Sequence, residues 1–220
     1  MDQSKTSGFT KPLQSSSDEI LAFGKMVLSQ EANALQLISE SLGHSFVEAV
    51  NLILNSNNRV IIIGLGKSGH VGKKIAATLA SLGTPSFFLH AVEAMHGDLG
   101  MITKEDVLIL ISHSGETSEI TNLLPHLTQF ACPMIAITGR PDSTLAKAAT
   151  VHLDTGVRME SDSRGLAPTS STTVTIAIGD ALALTLADMR GFSRQAFGKY
   201  HPGGSLGKTV LSDPHELITN

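Results

Sequence analysis

Residues 59–64 read Arg-Val-Ile-Ile-Ile-Gly, a β-branched run closed by glycine with no polar position inside it. A strand that is apolar on both faces must be covered on both faces, the condition of a parallel sheet layered between helices. The same cadence recurs along the chain. Apolar runs at Val60–Ile63, Ser86–Leu89, Val107–Ser112, Met134–Thr138 and Val151–Leu153 alternate with helical patterns near 68–82, 117–129, 143–148 and 170–189. Parallel neighbours require crossovers, so the pattern predicts an α/β fold, a five-stranded parallel sheet flanked by helices on both faces in a Rossmann-like three-layer sandwich. Upstream, Ser17 and Asp18 are placed to cap a helix carrying Ile20, Leu21, Phe23, Met26, Val27 and Leu28. A second periodic set from Leu35 to Leu54 continues it, with Gly43 as a break. One domain over 17–211 is expected, between tails at 1–16 and 212–220.

The 220 residues carry 16 basic and 20 acidic side chains, a net charge of −4, which leaves no cationic stripe for a nucleic-acid backbone. With 41% apolar and only 16% charged residues, a large core and further burial against copies of the same chain are expected. The lone Cys132 cannot close an intrachain disulfide, and its apolar surroundings predict a buried thiol. The polar N-terminus lacks the apolar segment of a signal peptide, and no run of 18 apolar residues occurs. These features predict a cytoplasmic protein with no membrane span.

In parallel sheets ligands bind beyond the carboxyl ends of the strands, so the loops after the strands carry the candidates. Gly64-Leu-Gly-Lys-Ser-Gly69 is a literal G-x-G-x-x-G leading into a helix. A dinucleotide site would need an acid at the end of the next strand, where the chain instead reads Phe87-Phe-Leu-His-Ala-Val-Glu93. A P-loop would need glycine where Ile61 stands. Two readings stay open, a turn that lets the helix pack closely on the sheet and an anion site at a helix N-terminus bearing Lys67 and Ser68. The next loop, Ser112-His-Ser-Gly-Glu-Thr-Ser-Glu119, gathers four hydroxyls at a helix start. Capping by Ser114 or Thr117 explains one of them, and the cluster as a whole suits a phosphate monoester. His90, Glu93, His96 and Asp98 have the look of a metal cluster but match no standard zinc spacing. Pro168-Thr-Ser-Ser-Thr-Thr173 opens the long apolar helix with one capping hydroxyl and others free for a substrate contact, and Asp180 within that helix is expected to pair in the core or at a subunit contact rather than react.

These segments resemble a known family. Ser-x-Ser-Gly-Glu-Thr after a strand, preceded by Gly-x-Gly-x-Ser, is similar to the sugar isomerase (SIS) domain. More narrowly, Gly64-Leu-Gly-Lys-Ser-Gly-His70, His96-Gly-Asp-Leu-Gly100, Gly165-Leu-Ala-Pro-Thr-Ser-Ser-Thr172 and His201-Pro-Gly-Gly-Ser-Leu-Gly207 resemble D-arabinose 5-phosphate isomerases, in order over about residues 18–210. The resemblance implies interconversion of D-ribulose 5-phosphate and D-arabinose 5-phosphate through an enediol, feeding 3-deoxy-D-manno-octulosonate and lipopolysaccharide synthesis. It also implies a homotetramer with active sites shared between chains, and no required cofactor. It places the catalytic positions at Lys67, Glu119, Glu160 and His201, with Lys67 as an electrostatic stabiliser and Glu160 and His201 as acid/base candidates in either order. It places substrate contacts at Gly66, Ser68, Gly83, Thr84, His90, His96, Ser112, Ser114 and Thr117, and makes His90 a site where a divalent metal such as zinc binds and inhibits.

Read from the residues alone, Lys67 is also a solvated loop cation, Glu160 an exposed loop charge and His201 a turn residue. Glu119 reads equally as a first-turn acid, with Glu116 as its rival in the loop. Three departures from the family stand out. His113 occupies a position where the family usually shows Asn, and Glu160-Ser-Asp-Ser-Arg164 is more charged than its usual counterpart. The family's long form adds a pair of regulatory CBS repeats beyond this point, so the 220 residues read either as a natural short form or as a truncated piece of the long one. A non-catalytic sugar-phosphate sensor on the same domain, and an isomerase of another ketose phosphate, are the alternatives.

Overall fold

All five apolar runs form strands. In a computed structural model, residues 15–56 and 58–203 are described. The element order is α1 (Ser17–Ser41), α2 (His44–Leu54), β1 (Val60–Gly64), α3 (Gly66–Ser81), β2 (Ser86–His90), α4 (Ala91–Ala94), β3 (Val107–Ile111), α5 (Ser118–Thr121), α6 (Leu124–Leu127), β4 (Met134–Thr138), α7 (Thr144–Ala148), β5 (Val151–Asp154), α8 (Ser170–Met189) and α9 (Arg194–Tyr200). The proposed tails, apart from Ser15 and Ser16, and positions 204–207 of the last motif lie outside the described residues.

The sheet is parallel throughout, in the order β2-β1-β3-β4-β5. Successive residues of a strand point to opposite faces. Ile62, Ile109, Ile135 and Ile137 therefore enter one core with α2, α3 and α8, while Ile61, Ile63, Leu108 and Leu110 enter a second beneath α4, α5 and α6. Each such side chain contributes about 1.5–3 kcal/mol relative to exposure, which is why no polar residue interrupts these runs. The expected three layers are present.

Two boundaries differ from expectation. The cap of α1 is Ser16 rather than Ser17 or Asp18, because Glu19 completes a reciprocal box: Ser16 Oγ accepts the Glu19 N–H at 3.2 Å and Glu19 accepts the Ser16 N–H at 2.7 Å. The helix expected over 117–129 is broken into α5, α6 and a 3₁₀ turn at Thr128–Phe130. Pro125 is the reason, since it has no N–H to give the Thr121 carbonyl and its ring crowds that turn. Gly43 does separate α1 from α2. Cys132 is 8% exposed, its thiol donates to the Thr103 carbonyl at 3.1 Å, and burial pushes its pKa up.

Helix α8 holds the layers together. By length and composition it is long and apolar enough to cross a membrane, yet 56% of its apolar window is buried inside the fold, packed on α1, α2 and α3. Asp180 pairs with Lys74 of α3, as its setting required. At the C-terminal end, Arg190 donates to Thr84 Oγ1 at 2.5 Å and to the Ile53 carbonyl at 3.2 Å. Twenty residues at 1.5 Å each put that end about 30 Å from the first turn. Where α8 crosses α3, a Cβ on Gly179 would overlap Ile75. Gly179→Val is expected to lower stability by about 2 kcal/mol through overpacking, read as a fall in the urea midpoint; an unchanged midpoint removes this crossing as a close-packed contact.

Candidate active site

The first strand-to-helix loop bears out the packing reading and leaves the helix end open for the other. Gly66 has φ +57° and starts α3, and a Cβ on Gly69 would lie 3.3 Å from Phe88 Cζ, so these glycines serve turn and packing. The end of this 16-residue helix is also open: its N-cap Leu65 supplies no side-chain acceptor, Lys67 is exposed and Ser68 is half-buried. Backbone N–H groups and the positive end of the helix dipole are thus available to an anion.

The loop after β3 is ordered by its own hydroxyls. Ser112 is 3% exposed, shares a 2.8 Å hydrogen bond with Thr117 Oγ1 and accepts the Gly115 N–H at 3.1 Å. Ser114 is exposed and accepts the Glu116 N–H at 3.2 Å. Thr117 occupies the N-cap position of α5 but makes no side-chain cap bond, so capping does not consume this cluster. The two glutamates separate clearly. Glu116 accepts the Thr144 N–H at 2.7 Å and serves the start of α7, which holds its carboxyl below the usual range. Glu119 is exposed, and its own backbone N–H and the Ser118 hydroxyl at 2.8 Å lower its carboxyl pKa.

Glu160 is the most heavily bonded of the candidates. Its carboxylate accepts the Thr169 N–H at 2.9 Å, the Ser171 N–H at 3.0 Å, the Thr169 hydroxyl at 3.2 Å and the Ser171 hydroxyl. It thereby caps α8 from outside, because Thr169 at the N-cap makes no cap bond of its own. Burial pushes the carboxyl pKa up, but the bonds from Ser171 and Thr169 outweigh it and hold the group below its ordinary 4.5. The loop is fixed from both sides. Arg158 clasps Asp154 at 2.7 and 3.0 Å and donates to the Gly139 carbonyl at 2.6 Å, while Asp162 accepts N–H groups of Arg164, Leu166 and Ala167. The extra charges of this segment therefore order the loop. The helix-start donors of Thr-Ser-Ser were the signal that a carboxylate would be drawn there; reading Glu160 as an exposed charge overlooked it.

Beneath this loop lies a cavity of about 550 Å³ lined by His113, Arg158, Glu160, Asp162 and Arg164. A smaller one of about 70 Å³ joins Ser68, His113, Glu160, Ser171 and Thr172. The loops of β1, β3 and β5 meet here at the carboxyl edge of the sheet. Sequence reasoning marked His113 only as a departure, and its place in both cavities was not legible.

Other predicted positions lie elsewhere in the chain. His90 ends β2 at the carboxyl edge, half-buried, with Nδ1 accepting the Val92 N–H at 3.3 Å, and His96 is exposed beyond it. Among the described residues no group of three His, Cys, Asp or Glu is poised to hold a metal. Gly83 and Thr84 precede β2 and so sit at the amino edge. A Cβ on Gly83 would lie 2.8 Å from Phe192, and Thr84 is 2% exposed beneath Arg190. His201 follows α9 near that edge. Phe192 stacks on Tyr200 at 5.9 Å, and the His201 ring stacks on Phe197 at 3.8 Å with Nδ1 2.9 Å from the Phe197 carbonyl. Within one chain His201, Gly83 and Thr84 do not meet Glu160, because the length of α8 intervenes.

A family model for the SIS domain matches residues 53–185. The chain belongs to the SIS domain family. This SIS domain is 52% identical over 188 residues to an arabinose 5-phosphate isomerase KdsD of Pseudomonas aeruginosa, a match covering 86% of the chain and 58% of that relative. It is 51% identical over 195 residues to the Escherichia coli K12 protein of the same name, covering 89% of the chain and 60% of the relative. The chain thus spans less than two thirds of either relative. A solved structure of Escherichia coli CFT073 c3406 in complex with arabinose 5-phosphate superposes with TM-score 0.83 at 41% identity, covering 86% of the chain and all of that structure.

Because the carboxyl of Glu160 is lowered on folding, its stabilisation is complete above pH 4.5 and is lost as pH falls through the lower folded value. Glu160→Gln is expected to cost about 1–2 kcal/mol at pH 7, the worth of a helix cap, with the gap to wild type narrowing below pH 4.5. Urea unfolding at pH 7 and pH 3.5 measures it; a gap independent of pH excludes the capping carboxylate as the cause.

Proposed function

We propose that this chain is an aldose–ketose isomerase interconverting D-ribulose 5-phosphate and D-arabinose 5-phosphate, supplying 3-deoxy-D-manno-octulosonate and lipopolysaccharide synthesis. The observation that carries the reading is one pocket shared by Ser68, His113 and Glu160. It lies in a chain about half identical to proteins named arabinose 5-phosphate isomerase. The phosphate is anchored by the open N-terminus of α3 and by the hydroxyls of Ser112, Ser114 and Thr117, which follow the neighbouring strands β1 and β3 at the carboxyl edge of the sheet. Lys67 adds positive charge toward the phosphate or the enediolate.

Isomerisation moves a proton between C1 and C2 with no net redox change, so the reaction needs no organic cofactor. Glu160 is ionised at neutral pH and can accept a proton, though its low pKa makes it a weak base that passes the proton on readily. An imidazole can both accept and donate, which suits His201 to the partner role. The two are separated by about 30 Å of α8 in one chain, so a complete site requires His201 from a second copy. A homotetramer with shared sites meets this need, and exposed apolar positions such as Ile20, Phe23 and Leu28 on α1 and Leu184 on α8 offer surface for it. Gly83 and Thr84 join the proposed site across such contacts, while Glu119 and His96 belong to the carboxyl edge itself. His90 is the position for an inhibitory zinc, distinct from any required metal. The small phosphorylated substrate and single cysteine suit a cytoplasmic enzyme without nucleic-acid or membrane partners.

Turnover of D-arabinose 5-phosphate and D-ribulose 5-phosphate is expected in an assay beside hexulose and heptulose phosphates. Tight binding of the pentose phosphates without turnover would replace the enzyme with a sensor. Lys67→Ala and His201→Ala are each expected to lose about 100-fold or more in kcat. Mixing the two inactive variants is expected to restore activity, whereas verified mixed oligomers that stay inactive rule out shared sites.

A further inference from the structure

The pocket wall contains a group that the mechanism above does not use. His113, Glu160 and Pro168 are the residues common to both cavities at the carboxyl edge. The placement of the His113 ring is tightly defined. Its carbonyl accepts the Gly139 N–H at 2.8 Å, and a Cβ on Gly139 would overlap ring atom Cε1, so glycine at the end of β4 keeps room for the imidazole. Despite this, ring atom Nδ1 is buried and has no hydrogen-bond partner. An unmet buried nitrogen costs about 1–3 kcal/mol. Nδ1 lies against the Gly139 backbone, 2.7 Å from where a Cβ would stand, so the ring edge left open to the two cavities beside Glu160 is the place for a ligand's polar atom.

We infer that His113 is a substrate-contacting residue, one ring nitrogen held as the acceptor for a hydroxyl of a sugar bound between Glu160 and the β3–α5 loop. The inference rests on the sugar-phosphate reading of this site and adds a contact to it. The charged groups around the ring come from every element packed on it: Glu160 from the loop before α8, Arg140 after β4, Asp154 at the end of β5 and Arg158 beyond it. Burial is the largest influence on the ring and lowers its pKa, Glu160 opposes this, and Arg140 and Arg158 add to the lowering. The ring therefore stays neutral at pH 7, with one nitrogen as donor and the other as acceptor, and takes up its second proton only on acidification. That proton removes the acceptor and with it the contact.

Two measurements test this on the full chain. The first follows the His113 imidazole by ¹⁵N NMR, assigned by the signals lost in His113→Asn, while D-arabinitol 5-phosphate is added as a substrate analogue without a carbonyl. The ring signals are expected to shift on saturation, and binding that leaves them unmoved overturns the inference. The second compares kcat/KM for D-arabinose 5-phosphate between pH 5 and 9 in wild type, His113→Asn and His113→Ala, with circular dichroism as the check on folding. His113→Ala is expected to lose about tenfold at pH 8, the amide variant to recover part of it, and the deficit of both to shrink toward pH 5. The phosphate of the substrate titrates in all three proteins, so the difference between profiles belongs to the ring. A folded His113→Ala with kcat/KM within twofold of wild type overturns the inference, as does a deficit that is constant with pH and not relieved by Asn. The NMR arm does not depend on turnover, so ring shifts without isomerisation would reject the isomerase reading and retain the contact.

Discussion

A parallel sheet buried on both faces has nothing polar to offer except at its two edges. β1, β3 and β4 are buried along their whole length, so apart from Thr138 at the end of β4, whose hydroxyl bonds Arg140 and His152, the side chains they contribute are spent on packing. Chemistry is thereby forced into the loops. At the carboxyl edge these loops start helices, and helix starts bring unpaired N–H groups with them. The hydroxyls of Ser112 and Thr117, the open end of α3 and the carboxylate of Glu160 all follow from that one constraint. None of them required an unusual backbone beyond a few glycines.

Helix α8 turns the same constraint into a question of distance. It starts under Glu160 and finishes where Arg190 bonds Thr84, so it measures out the full depth of the sheet. Motif residues that are close in function can be far apart in the chain's own fold. Under the proposed function His201 and Glu160 are the clearest case, and the proposed assembly would be the physical means by which the two edges of different copies face each other.

Much of this architecture was legible. Strand runs announced themselves by composition, because double-sided burial excludes polar residues, and α8 fell on the expected Ser170–Met189. Loop hydroxyls at 112–117 were legible as a cluster for the same reason, standing out after an apolar strand. What escaped was governed by contacts between distant segments. Pro125 was visible, yet how far it would fragment the 117–129 region depended on packing. Glu160 seemed a free charge because its partners, Thr169 and Ser171, come nine and eleven residues later. Gly83 and Thr84, standing before a strand of a parallel sheet, were already due at the amino edge, but the sequence order gave no sign that His201 would lie near them there.

The bonding around Glu160 makes its two oxygens unlike. Oε2 is held by the N–H groups of Thr169 and Ser171, which cannot turn, together with the Thr169 hydroxyl. Oε1 is met by the hydroxyl of Ser171, which rotates and can accept as well as donate. A proton arriving at this carboxylate thus has one address. It settles on Oε1 with a turn of the Ser171 hydroxyl, and the first turn of α8 stays bound to Oε2 throughout. The side chain can exchange a proton without letting go of the helix.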